Sequence, residues 1–204
     1  FMNYADFGLG TWQPKEGMYS VILGIAKLAK ELGVAIETNS SVEKIIVDNK
    51  KATGIIINGN EIAADIVLTG ADYHHSETLL DLEHRQYSEK YWESKTFAPS
   101  SLLFYVGFNK KLKNVVHHNL FFDVDFDMHA SDIYDNPKWP EEPLFYANFT
   151  SITNENLAPE GCENGFFLIP IAPGIEDTEE LRALYFEKII SRFDVLKDLI
   201  IQVL

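Results

Sequence analysis

Residues 33–72 constrain this chain more than any other stretch. They hold four β-branched runs, residues 33–38, 42–47, 52–57 and 66–69, separated by turn signals. Asp48-Asn49-Lys50 and Asn58-Gly59-Asn60 are the turns. Asn-Gly reaches the positive φ that a tight hairpin requires. The run from Ile66 to Thr69 is apolar at almost every position. That pattern predicts a strand covered on both faces. It leads into Gly70-Ala71-Asp72, and ligands of open α/β sheets gather outside the carboxyl ends of strands.

Upstream, Pro14-Lys15-Glu16-Gly17 is a turn. Met18, Val21, Ile22, Ile25, Leu28, Ala29 and Leu32 then recur at steps of three and four, which predicts an amphipathic helix ending at Gly33. Downstream, residues 76–95 read as a helix, stopped before Pro99. Strands are expected over residues 101–108, 120–122, 144–149 and 165–171, and a second helix over 177–193. A Pro- and acid-rich connection fills 123–142. The composition turns aromatic near residue 97, so a boundary is placed there. The expected domains are 1–32, an approach segment and helix packing with the last part; 33–96; and 97–204.

The six histidines include the adjacent pairs His74-His75 and His117-His118. Neighbours on an extended strand point to opposite faces, so neither pair can clamp one ion, and no metal site is expected. Cys162 lies between Glu160-Gly161 and Glu163; flanking carboxylates disfavour a thiolate nucleophile. No Gly-x-Ser-x-Gly elbow supports a hydrolase. Asp123, Asp125 and Asp127 would share one face of a strand, read as a solvated edge. Asp72 is read as a helix cap in preference to a ligand contact.

A net charge of −14 over 204 residues repels phosphate backbones, which argues against nucleic acid as a partner. No apolar run reaches the ~18 residues of a membrane span. One cysteine excludes an internal disulfide and suits a reducing compartment, so the expected location is cytoplasmic, with peripheral contact at the inner membrane. A chain that opens on Phe1 is expected to be a piece of a longer protein.

The order helix, strand, three-strand meander, buried strand resembles part of the FAD-dependent amine-oxidase and carotenoid-desaturase superfamily, with Ser41-Val42-Glu43-Lys44-Ile45 at the start of the meander. Further matches are similar to bacterial phytoene desaturases. They are Gly70-Ala71-Asp72-Tyr73-His74-His75, residues 87–92, residues 97–103, His117-His118-Asn119-Leu120-Phe121-Phe122 and residues 158–164. The resemblance implies an α+β fold, with a mixed β-sheet substrate domain, helices and the β-meander portion of an FAD-binding α/β domain.

It also implies dehydrogenation of a forty-carbon carotenoid precursor, with FAD accepting hydride. It implies cofactor contacts at Val42, Ala71 and Asp72 and substrate contacts at Trp12, Phe104 and Tyr146. No side chain stands out as an obligate catalytic acid or base. The implied partner is a long apolar polyene, and self-association is expected where apolar faces are left bare. Two departures stand out. Glu16 occupies a position that is glycine in the family's Pro-x-Gly-Gly, and the Gly-x-Gly-x-x-Gly that holds the FAD pyrophosphate is missing. The 204 residues alone are therefore expected to hold FAD weakly or not at all. The alternatives are a carotenoid isomerase or another flavin oxidoreductase of the superfamily, and a carotenoid- or lipid-binding module without chemistry.

Overall fold

The computed structural model describes residues 4–10 and 12–196. The chain divides into two compact units, one of Phe1–Ile25 with Phe97–Leu204, the other of Ala26–Thr96. The division falls inside helix α1, Tyr19–Glu31. The helix forms where the periodicity placed it, but none of its residues is buried. Ile22, Ile25 and Leu28 on its apolar side are each more than half exposed.

The unit Ala26–Thr96 is built on a meander of β1 (Val42–Asp48), β2 (Lys51–Ile57) and β3 (Asn60–Ala63), paired antiparallel in that order. Both connections are two-residue turns with left-handed backbone: Asn49 and Lys50 at φ 48° and 64°, Asn58 and Gly59 at 50° and 72°. Such turns match the twist of the strands they join. Gly54 faces Ile46 on one side and Ala63 on the other. A Cβ there would lie 2.4 Å from the Ile62 carbonyl oxygen, which belongs to backbone and cannot swing away. Gly54→Ala is therefore expected to cost about 1–3 kcal/mol. It should loosen β3 first, read as faster amide exchange at Ile62 and Ala63.

The outer two runs do not become strands. Residues 34–37 and 66–70 carry no ladder, and Ile66 and Leu68 are 84% and 93% exposed. This corrects the expected covered strand over 66–69. An apolar pattern favours a strand, but the strand exists only where a neighbour supplies hydrogen bonds. The expected long helix over 76–95 is also broken up, into α2 (Tyr73–Thr78), a 3₁₀ turn at Leu82–His84 and α3 (Glu89–Glu93). Asp72 caps α2, accepting from the His75 amide at 3.0 Å, and Ser88 caps α3. Buried Glu77 holds the pieces together. Its Oε1 accepts from the amides of Gln86 and Tyr87 at 2.8 and 3.3 Å, and its Oε2 from the Trp92 indole at 2.9 Å.

The other unit carries a four-stranded sheet of β4 (Ser100–Phe108), β5 (His118–Phe121), β6 (Phe145–Asn148) and β7 (Glu163–Ile171), in the order β4-β7-β6-β5. Every ladder is antiparallel, which corrects the expected mixed sheet. One face packs Leu102, Phe121, Phe145, Phe167 and Ile169 against Tyr185, Ile189 and Phe193 of α5 (Glu179–Leu196). The connection 123–142 contains α4 (Phe126–Tyr134), capped by Asp125, so Asp123, Asp125 and Asp127 do not lie on a strand. Asp123 instead pairs with Arg192 at 2.5 Å. His129 of α4 is buried; its Nδ1 accepts from the Leu144 amide at 2.9 Å, which leaves the proton on Nε2 to donate to the Pro170 carbonyl at 2.8 Å.

Candidate functional site

Along β7 burial alternates strictly. Gly165, Phe167, Ile169 and Ile171 face the core, while Phe166, Leu168 and Pro170 face outward. Strand side chains alternate faces, so the ladder register fixes which residues stand side by side. Leu103 pairs with Leu168, Leu168 with Tyr146, and Tyr146 with Leu120. One strand-step along, Tyr105 pairs with Phe166, Phe166 with Asn148, and Asn148 with His118. Two rows of four side chains therefore cross the outward face. The first is apolar apart from the Tyr146 hydroxyl; the second grades from aromatic to polar. Tyr105 is 80% and Leu120 64% exposed, so this is an open apolar face. The Tyr105 and Phe166 rings lie 5.3 Å apart, and Phe166 meets Tyr146 edge-on at 6.3 Å.

At its polar end this face opens into a cavity of about 770 Å³ lined by Gln13, Met18, His117, His118, Asn148 and Thr153, with Trp12 at its rim. The turn before α1 forms one wall. Gly17 adopts the left-handed backbone of that turn, φ 77°, packed on Leu157, and the Asn154 amide donates to the Lys15 carbonyl. Asn148 Nδ2 donates to the Tyr146 hydroxyl at 2.8 Å and to His118 Nδ1 at 3.1 Å. The Tyr146 hydroxyl lies 2.6 Å from the same Nδ1. An Nδ1 that receives two donors carries no proton, so His118 presents an N–H at Nε2. His117 Nδ1 lies 2.6 Å from the Thr153 hydroxyl. Burial, and then the adjacent His118, hold the His117 pKa below its usual value and favour the uncharged ring. The two imidazoles sit 4.3 Å apart rather than on opposite faces, because only His118 belongs to the strand. Both side-chain atoms of Gln13 are buried without a hydrogen-bond partner.

Of the expected substrate residues, Tyr146 stands in the first row and Trp12 on the cavity rim, 86% exposed with its indole bonded to the Leu9 carbonyl at 3.0 Å. Phe104 lies on the opposite face, packed on Phe186 at 5.2 Å. Period two gives the outward position to its neighbour Tyr105. Val42 opens β1, half-buried and paired with Ile57; Ala71 is exposed; Asp72 is engaged as the α2 cap. These three belong to the unit Ala26–Thr96. Tyr105 and Phe166 belong to the aromatic strands from which lining residues were expected; Leu168, His118, Asn148 and Gln13 were not foreseen as site residues, and strict alternation counted from a known core residue would have found the strand positions among them.

Comparison with known proteins extends this picture. The chain is 39% identical over 194 residues to the carotenoid 3,4-desaturase of Haloarcula japonica, covering 93% of this chain and 39% of that protein. It is 32% identical over 172 residues to a zeta-carotene-forming phytoene desaturase of Myxococcus xanthus, covering 83% and 33%. The chain thus spans well under half the length of these relatives. An oxidoreductase structure from Methanosarcina mazei shares the fold, with a TM-score of 0.59 at 18% identity over 89% of this chain and 39% of that one. A family model described as flavin containing amine oxidoreductase matches residues 1–149. On that match, and with the α+β architecture in place, the chain belongs to the flavin containing amine oxidoreductase family.

Proposed function

We propose that the full-length protein is an FAD-dependent carotenoid desaturase and that this chain supplies the sheet on which the polyene lies. The observation that carries the reading is the outward face of the four-stranded sheet, with its two cross-strand rows through Leu168 and Phe166. Water is a poor neighbour for such a face, and a long hydrocarbon is a good one. The names of the relatives, which are carotenoid desaturases, support the same substrate class. The contribution of these residues is to hold the polyene extended and to keep water from it. Removal of hydrogen calls for an oxidant, and FAD is the one the family implies. We place its work in the cytoplasm at the inner face of the membrane, where an insoluble polyene resides.

The test is production of the full-length protein in a bacterial host that makes phytoene, followed by analysis of the pigments. The expected products absorb at longer wavelength and have lost hydrogen in pairs. A product of unchanged mass and altered double-bond geometry would identify an isomerase. A polyene that copurifies unchanged would identify a binding module. Neither turnover nor copurification would end the reading.

A further inference from the structure

We infer that His117 is a catalytic residue of the desaturation, the base that takes up the proton when the polyene is dehydrogenated. This rests on the carotenoid-desaturase reading above and deepens it.

Each new double bond costs two neighbouring carbons one hydrogen apiece. One hydrogen leaves as hydride, with the electron pair of its C–H bond, to the flavin, the two-electron oxidant that the family implies. The other leaves as a proton, and the electron pair of its C–H bond becomes the new π bond. That proton needs an acceptor within reach of the chain. The two rows on which the polyene lies supply none. Leu103, Leu168, Leu120 and Phe166 have no basic atom, Tyr105 offers a phenol, and the Tyr146 hydroxyl is engaged with Asn148 and His118. Acceptors stand in the cavity at the end of the rows, whose charged and titratable members are Lys15, Glu16, His117 and His118.

Hydrogen bonding gives the two imidazoles opposite roles. His118 Nδ1 receives Tyr146 and Asn148, so its proton sits on Nε2 and the ring can only donate there. His117 is the reverse. The single proton of the Thr153 hydroxyl goes to the Thr150 carbonyl at 3.3 Å. The Thr153 oxygen then accepts from His117 Nδ1–H at 2.6 Å. The lone pair of His117 is left on Nε2, which has no hydrogen-bond partner among the described residues, in a ring that lines the cavity. Burial and the adjacent His118 keep that ring uncharged, ready to accept. A weak base is enough, because a carbon next to a centre that has lost hydride is a strong acid. Protonated Lys15 accepts nothing, and Glu16 is exposed on the turn, where water competes for its carboxylate.

The experiment follows kcat/KM of the full-length, flavin-loaded protein on a hydrocarbon polyene against pH, for wild type, His117→Gln and Glu16→Gln. A base acts only when unprotonated. Wild type is therefore expected to lose activity as the pH falls below about 6.5, since the His117 pKa lies under the usual imidazole value. His117→Gln is expected to lower kcat/KM about 100-fold or more and to erase that acid limb. A merely structural role would scale the profile down and leave its shape. Undiminished turnover by His117→Gln overturns the inference, and so does an acid limb that survives in it and vanishes in Glu16→Gln. Should His117→Gln not fold, NMR of the histidine ring nitrogens in wild type decides. His117 protonated at Nδ1 with His118 protonated at Nε2 upholds the inference, and a proton on His117 Nε2 overturns it. Each of these adverse outcomes leaves the desaturase reading standing. Wild type that turns over no polyene removes that reading and this inference with it.

Discussion

Leu168→Asp in the full-length protein is expected to lower kcat/KM for the polyene by about 100-fold or more, while the fold survives. Leu168 stands at the centre of the first row, between Leu103 and Tyr146 on the neighbouring strands. A carboxylate at that point must shed its water when a hydrocarbon covers it, and that desolvation is charged against substrate binding. The free protein is spared, because Leu168 faces outward and the core lies on the other side of the strand. The measurement is steady-state kinetics alongside a thermal melt. Adjacent Phe167 provides the contrast. It is fully buried, within 5.8 Å of the Phe149 ring and 5.5 Å of Phe193, so Phe167→Asp is expected to abolish folding. Phe104→Ala, on the same core face, should lower the melting temperature more than it alters the product. Wild-type kinetics in Leu168→Asp would show that the polyene lies elsewhere.

Glu77→Ala is expected to destabilise the unit Ala26–Thr96 by about 3 kcal/mol or more. The carboxylate is 5% exposed and is the acceptor for the Gln86 and Tyr87 amides and the Trp92 indole. Alanine strands all three donors, each worth about 1–3 kcal/mol when buried and unpaired. Glu77→Gln keeps one oxygen for the two amides but turns an N–H toward Trp92 in one amide orientation, so a smaller loss, about 1–2 kcal/mol, is expected. The readouts are the denaturation midpoint and the exchange rates of the Gln86 and Tyr87 amides. Equal stability of the alanine variant and wild type would show that water replaces the carboxylate at no cost.

Parts of this architecture were legible before any coordinates. The two turns at Asn49-Lys50 and Asn58-Gly59, the aromatic strands and the helix expected over 177–193, found over Glu179–Leu196, all follow from local chemistry. The capping role of Asp72 was legible for the same reason, since a short side-chain acceptor before a helical segment bonds the nearby amide. The site was less legible. In Leu102-Leu103-Phe104-Tyr105 all four residues are apolar or aromatic, so no polar member marks the outward face. Phe104 and Tyr105 look equally suited to line a ligand, and only their packing separates them. Glu77 gave no signal, because its partners lie nine to fifteen residues away and meet it only after three short helical pieces fold back.

Local sequence determined where this chain turns, which runs are extended and which residues cap helices, because those preferences act within a few residues. Tertiary structure decided which face of the sheet is core, whether the apolar runs at 34–37 and 66–70 become strands, and that His118, Asn148 and Gln13 share one cavity. These outcomes depend on ladder partners and side-chain neighbours far away in the chain, and no residue carries that information by itself.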